Sequence, residues 1–203
     1  EVAHITVGTG VSLTGNAQSN FLFGGLGEDI IVGGAGSDQM SGYGGNDTYA
    51  VDNSSDAVLE AAGGGFDNVY SSVNYEINEA QEIEAALLSG GSAAAVILRG
   101  SSSDNQLIGN EFVNVIDGRG GTDYMLGLGG ADIFQIGPEA GAVDVIGDFS
   151  KSEGDRIALA GFNAATTTVT QVSATSFQVV DTSPGGVTQQ FILNDAFGKT
   201  ELI

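Results

Sequence analysis

The chain has 203 residues, 26 acidic against five basic side chains, a formal charge of −21, 33 glycines and no cysteine. Nucleic acid and anionic membrane surfaces both need positive charge and are poor partners, which leaves cations as the natural ones. Disulfides and thiolate metal sites are excluded, while 41% hydrophobic residues and only two prolines argue against disorder.

The N-terminal stretch EVAHITVGTG has no basic start, no apolar core and no initiator Met, and reads as part of a longer protein. No run of 18 apolar residues follows, so no membrane-spanning helix is expected. From Gly15 the chain repeats every nine residues, as GNAQSNFLF (15–23), GGLGEDIIV (24–32), GGAGSDQMS (33–41) and GYGGNDTYA (42–50). Glycine holds the first position, and Asn20, Asp29, Asp38 and Asp47 hold the sixth. Leu22, Ile31, Met40 and Tyr49 hold the eighth, with Leu13 in the same phase one step earlier.

Residues 53–90 lack the period. VYSSVNYEI (69–77) alternates β-branched and aromatic residues and predicts a strand. EAQEIEAALL (79–88) has helical propensity but lies between strand-like segments, so it is expected to be extended or a single helical turn. The period then returns in GSSSDNQLI (100–108), GNEFVNVID (109–117), GRGGTDYML (118–126) and GLGGADIFQ (127–135), with Leu107, Ile116, Met125 and Phe134 in the eighth position. Gly15, Gly24, Gly33 and Gly42 correspond to Gly100, Gly109, Gly118 and Gly127, and Val11–Leu13 to Val96–Leu98, so one unit of 85 residues is duplicated. Beyond 136, the segments VDVIGDF, DRIALAGF, TTTVTQV, SFQVVD and TQQFIL predict five short strands, an antiparallel cap protecting the last apolar face.

The spacing has a physical reading. Six glycine-rich residues turn the chain, because glycine reaches positive φ freely, and three residues with one inward apolar side chain make a short parallel strand. Two nonads close a coil of about 18 residues, and coils stack at roughly 4.8 Å. The predicted fold is therefore all-β, a parallel β-roll in two blocks with a C-terminal antiparallel cap. The expected divisions are 1–52, 53–95, 96–135 and 136–203. One apolar side chain per nonad is a thin core. Loops one coil apart share an edge, which sets Asp29 beside Asp47. Carboxylates about 5 Å apart repel by roughly 3 kcal/mol at an effective dielectric of about 20. A calcium ion between them reverses the sign, since it takes about six to eight oxygens and glycine loops expose main-chain carbonyls to it.

The nonads resemble the RTX (repeats-in-toxin) consensus G-G-x-G-x-D-x-U-x, in which U is a large apolar residue. The match is close at 24–32 and 33–41, good at 42–50, 118–126 and 127–135, and degenerate at 15–23, 100–108 and 109–117, where Asn replaces Asp. VDVIGDFSKSEGDRIALAGF (143–162) is similar to the segment after the β-roll of serralysin-type proteases, and TYAVDNSSDAVLEAAGGG (48–65) to linkers of multi-repeat RTX proteins. The resemblance implies calcium sites in which one loop gives its second and fourth carbonyls and its Asp. The loop one coil later gives its first, third and sixth residues. Carried over, Gly25, Gly27 and Asp29 join Gly42, Gly44 and Asp47, while Gly34, Gly36 and Asp38 join Val51, Asn53 and Asp56. In the second block Asn105 joins Gly118, Gly120 and Asp123, and Asn110, Phe112 and Asn114 join Gly127, Gly129 and Asp132. These amide-containing sites are expected to be the softer ones. Three loops carry Tyr43, Arg119 and Leu128 at the second position with Gly at the third, which predicts that the turn survives; Arg119 adds positive charge beside a site. For the tail acids Asp144, Asp148 and Asp155, ligand roles and solvated strand ends account for the sequence equally.

No catalytic constellation accompanies the repeats. His4 is the single histidine, and neither H-E-x-x-H nor G-x-S-x-G occurs. The expected function is a non-enzymatic module of a secreted bacterial protein that binds several Ca²⁺ ions and folds on them outside the cell. The alternatives are the non-catalytic C-terminal domain of a secreted protease, lipase or polysaccharide epimerase, or part of an adhesin or surface-layer protein. Type I secretion machinery is an expected partner, since FGKTELI (197–203) resembles the acidic-then-apolar ending of its substrates. Contact with a cell surface or polysaccharide is a further expectation.

Overall fold

Short strands separated by glycine turns cannot pair with their chain neighbours, because the turn carries the chain round to the opposite face; they pair with the strand one coil away. The computed structural model describes residues 2–4, 8–60, 62–90, 95–139 and 141–193. These contain strands and no helix, and the chain divides into two compact units, 1–90 and 91–203.

In the first unit, β1 (Val2–His4), β3 (Phe21–Gly25), β5 (Gln39–Tyr43) and β7 (Ala57–Val58) form one parallel sheet. Strands β2 (Ser12–Thr14), β4 (Ile30–Val32), β6 (Thr48–Val51), β8 (Asn68–Ser71) and β10 (Ala85–Leu88) follow one another in a second parallel sheet. Register is kept by the repeat: Leu13 faces Ile31 and Ile31 faces Tyr49, while Leu22 faces Met40. Beyond the repeats the pairing persists with unequal coils, Tyr49 facing Val69 and Val69 facing Ala86. VYSSVNYEI therefore resolves into β8 and a separate two-residue strand, β9 (Tyr75–Glu76), broken at Ser72–Asn74. EAQEIEAALL opens on a turn, closed by Gln81 N–H to the Asn78 carbonyl at 3.0 Å, and ends in β10, where its helical propensity yields to sheet pairing with β8.

The second unit repeats the plan. Strands β11 (Val96–Arg99), β13 (Asn114–Asp117), β15 (Ile133–Ile136) and β17 (Arg156–Leu159) form one parallel sheet. Strands β12 (Gln106–Asn110), β14 (Tyr124–Leu128) and β16 (Val143–Ile146) lie parallel in the other, where β20 (Thr188–Leu193) also pairs parallel to β16. Antiparallel pairing is confined to β18 (Thr167–Gln171), β19 (Ser176–Asp181) and β20. All five predicted tail strands form, but two of them, β16 and β17, prolong the coils instead of capping them.

The eighth-position residues make the core. Ile31, Met40, Tyr49, Leu107, Ile116, Met125 and Phe134 are completely buried, and Leu13 and Leu22 nearly so. At the end of the second unit the rings of Phe177 and Phe191 stack at 5.4 Å between β19 and β20, giving the antiparallel sheet an apolar face of its own. FGKTELI lies outside the described residues.

Candidate metal centre

The sixth residue of each nonad ends the turn and precedes the strand, so its side chain lies on the edge of the coil, under the next loop. In the first unit this builds a ladder in which each backbone N–H donates to the carboxylate one coil later. Val11 N–H donates to Asp29 Oδ1 at 2.8 Å, Asp29 N–H to Asp47 Oδ1 at 2.7 Å, and Asp47 N–H to Asp67 Oδ1 at 2.8 Å. Asp67 N–H continues it to Glu84 Oε2 at 2.7 Å. On the other edge Asn20 N–H donates to Asp38 Oδ1 at 2.7 Å and Asp38 N–H to Asp56 Oδ1 at 2.9 Å. The second unit has the same two ladders. Asn105, Asp123 and Asp144 form one, at 2.8 and 3.2 Å, and Asn114, Asp132 and Asp155 the other, at 2.8 and 2.9 Å.

One carboxylate oxygen is thus used in holding coils together. The other decides whether the edge fits a cation. Asp38, Asp47, Asp67 and Asp123 are at most 1% exposed, and the Oδ2 of each has no hydrogen-bond partner. A buried anionic oxygen without a partner carries its full desolvation cost. Burial, together with neighbouring acids, pushes the carboxyls up: Asp47 to about 6, Asp132 and Asp67 to about 7, and Asp123 to about 8. Burial is the largest cause in each case, and the ladder hydrogen bond opposes it. The oxygens lie in cradles that only glycine allows: a Cβ on Gly42 would stand 1.8 Å from Asp47 Oδ2, and one on Gly118 2.2 Å from Asp123 Oδ2. Among the described residues no three His, Cys, Asp or Glu side chains cluster as a metal site, so each cation site must draw most of its oxygens from the main chain. Two carboxylates with a surround of carbonyl oxygens suit a hard cation of high coordination number, which is Ca²⁺.

The structure brings the expected pairs together. Gly25 N–H caps Asp29 Oδ2 at 2.7 Å, and Gly44 N–H reaches the Gly25 carbonyl at 3.1 Å, so the loops carrying Gly25–Asp29 and Gly42–Asp47 stack directly. Gly27 lies against the loop one coil earlier, where its Cβ would meet Gly10 N at 2.3 Å. Gly34 and Gly36 take φ of 79° and 140° over the turn that ends at Asp38. Asn53 N–H donates to Asp56 Oδ2 at 3.1 Å, and Val51 points into the core, leaving only its main chain for a ligand. Gly120 N–H bonds the Ser101 carbonyl and Gly129 N–H the Asn110 carbonyl, at 3.1 and 3.2 Å, which stacks the loops of Asp123 and Asp132 on those of Asn105 and Asn114.

The amide positions differ in kind. Asn105 Oδ1 is taken by Ser101 N–H at 2.7 Å, and Asn114 turns its amide N–H₂ to Asn110 Oδ1 at 3.2 Å while Phe112 N–H donates to the same Asn110 oxygen at 3.0 Å. Tyr43, Arg119 and Leu128 adopt φ of 72°, 67° and 69°, so the turn does survive without glycine. Of the tail acids, Asp148 clamps Gly127 N–H and Leu128 N–H at 3.0 and 2.8 Å, and Asp155 Oδ2 accepts Ser150 N–H at 2.7 Å. Both accept main-chain N–H groups on both oxygens, as Asp29 and Asp56 do. In the first unit Glu60 makes the equivalent clamp, accepting Gly42 N–H at 2.8 Å and the Tyr49 hydroxyl. Sequence reasoning missed Glu60, Asp67 and Glu84, because the coil lengths change where the period is lost.

Residues 14–49 and 99–134 match the RTX calcium-binding nonapeptide repeat, in 4 copies. No curated protein matches the chain. Such repeats bind Ca²⁺, several ions across an array.

Proposed function

We propose that the chain, whose two arrays match the RTX calcium-binding repeat and wind as a β-roll, is a non-catalytic module whose coils close only when calcium fills the acid ladders, so that it folds outside the cell. The observation that carries this is the set of buried, unpartnered Oδ2 atoms of Asp38, Asp47 and Asp123, each lying against the first glycine of its own nonad in loops that stack one coil apart. Asp29 with Asp47, Asp38 with Asp56, Asn105 with Asp123 and Asn114 with Asp132 are the pairs that would hold the ions, helped by main-chain carbonyls of their loops. The bound ion supplies charge neutralisation and a coordination cage. The side chains fix the spacing of the coils through their second oxygens.

Extracellular calcium modules bind at about 10⁻⁴–10⁻³ M, so the cytosol leaves such sites empty and the exterior fills them. A chain of charge −21 without calcium repels itself, which suits passage through a type I exporter in an unfolded state. RTX repeats are typical of secreted bacterial proteins, and export followed by calcium-locked folding is the reading consistent with that charge. Isothermal titration of the full chain with calcium, in the presence of millimolar magnesium, tests the ligand. Several calcium ions should bind with submillimolar affinity. Heats abolished by magnesium, or no heats at all, would remove the ladders as calcium sites.

A further inference from the structure

The first ladder does not stop where the repeats stop. Asp67 lies outside both matched stretches, in a segment whose phase is displaced. The next nonad after 51–59 would begin at Glu60; begun instead at Ala62, it reads AGGGFDNVY (62–70). Ala62 stands in the glycine position and Gly63 N–H donates to Glu82 Oε2 at 2.6 Å, but the other structural marks of a nonad are present. Gly63, second, has φ of 81°, against 79° at Gly34 and 72° at Tyr43. Gly65, fourth, has φ of 154°, against 140° at Gly36 and 122° at Gly45. Asp67, sixth, takes the Asp47 N–H at 2.8 Å, and Val69, eighth, is completely buried. Asn68 faces Thr48 and Val69 faces Tyr49, seventh on seventh and eighth on eighth. Gly45 N–H donates to the Gly64 carbonyl at 2.8 Å, so the two loops stack. The coil closes in 20 residues instead of 18, and two added residues hide the frame.

Each carboxylate of this edge keeps one oxygen unpartnered. Asp47 and Asp67, 0% and 1% exposed, each keep an Oδ2 without a hydrogen bond, and Glu60, 6% exposed, keeps an Oε2 without one. The first 90 residues contain no lysine or arginine to neutralise them. We propose that 62–70 is a further, phase-shifted calcium-binding nonad, and that Asp67 and Asp47 hold an ion outside the recognised repeats. Main-chain oxygens of the 42–47 and 62–67 loops complete the site. Glu60 adds negative charge beside it. The inference rests on the reading that the ladders bind calcium, and one experiment separates the two.

Calcium is titrated by calorimetry into the full chain and into its Asp67→Ala and Asp67→Asn variants. The alanine variant should bind one ion fewer. The asparagine variant keeps a side-chain oxygen that can accept the Asp47 N–H, so it folds; one of its ions should bind at least about tenfold more weakly. Should Asp67→Ala fail to fold, Asp67→Asn decides. A parent chain that binds no calcium overturns the reading of the ladders as a whole. A parent that binds calcium, with variants equal to it in number and affinity, overturns the Asp67 site alone.

Discussion

Glycine at the first position of each nonad is set by the side-chain oxygen of the sixth residue that lies on it, carboxylate or amide. A Cβ at Gly42 would fall 1.8 Å from Asp47 Oδ2 and 2.6 Å from the Tyr49 hydroxyl, both buried. Gly42→Ala should therefore displace Asp47, costing about 1–3 kcal/mol of the calcium-loaded fold by overpacking, measurable as a lower denaturation midpoint with calcium present. The second position obeys a different demand. In four loops it takes a left-handed backbone, which Gly34 adopts freely and Tyr43, Arg119 and Leu128 adopt under strain. Leu128 is half exposed and loses little packing if removed. Leu128→Gly should raise stability by about 0.5–1 kcal/mol, since relief of the positive φ outweighs the added freedom of the unfolded chain. Urea unfolding at saturating calcium checks the direction; a drop in stability would show that the Leu128 side chain contributes more than its backbone costs.

At the scale of the element, the ladder is an arrangement of like charges that the coil itself brings together. Asp47, Asp123 and Asp132 are pushed up to about 6, 8 and 7, chiefly by burial. Raised carboxyl values mean that the metal-free fold is favoured while these groups are protonated. That contribution is present below the ordinary carboxylate range and is lost as pH rises through about 6–8. Without calcium, β structure should consequently grow as pH falls from about 8 to about 5, and circular dichroism in EDTA across that range would reveal it. A flat profile would mean that carboxylate repulsion does not govern closure. Ladder sites are also unequal. Asp29→Ala or Asp47→Ala removes one of a carboxylate pair, whereas Asn114→Ala removes an amide already engaged with Asn110. The aspartate variants should lose at least about tenfold more calcium affinity than Asn114→Ala in calorimetry. Much of this element was legible in the sequence, because the nine-residue step fixes which acids share an edge. Asp67 was not, since a two-residue insertion moves its nonad out of phase without changing its shape.

For the molecule, fold and charge are two sides of one design. The duplicated unit, the parallel strands and the buried eighth position all follow from the repeat, because a residue that returns every nine must return to the same face. The tail was legible strand by strand but not in its pairing: nothing in VDVIGDF or DRIALAGF distinguishes a strand that pairs with the preceding coil from one that starts a cap. Asp148 and Asp155 show why, as they use main-chain N–H groups of the preceding nonad to seat the longer coils that follow. The core remains thin, one side chain per nonad, while 26 acids face five bases. Folding should therefore be conditional on calcium. The most direct measurement is far-ultraviolet circular dichroism of the full chain at neutral pH, first in EDTA and then with calcium added to millimolar excess. A coil spectrum that converts to β on calcium, and reverts on renewed chelation, is the predicted result; a β spectrum unchanged by chelation would contradict it.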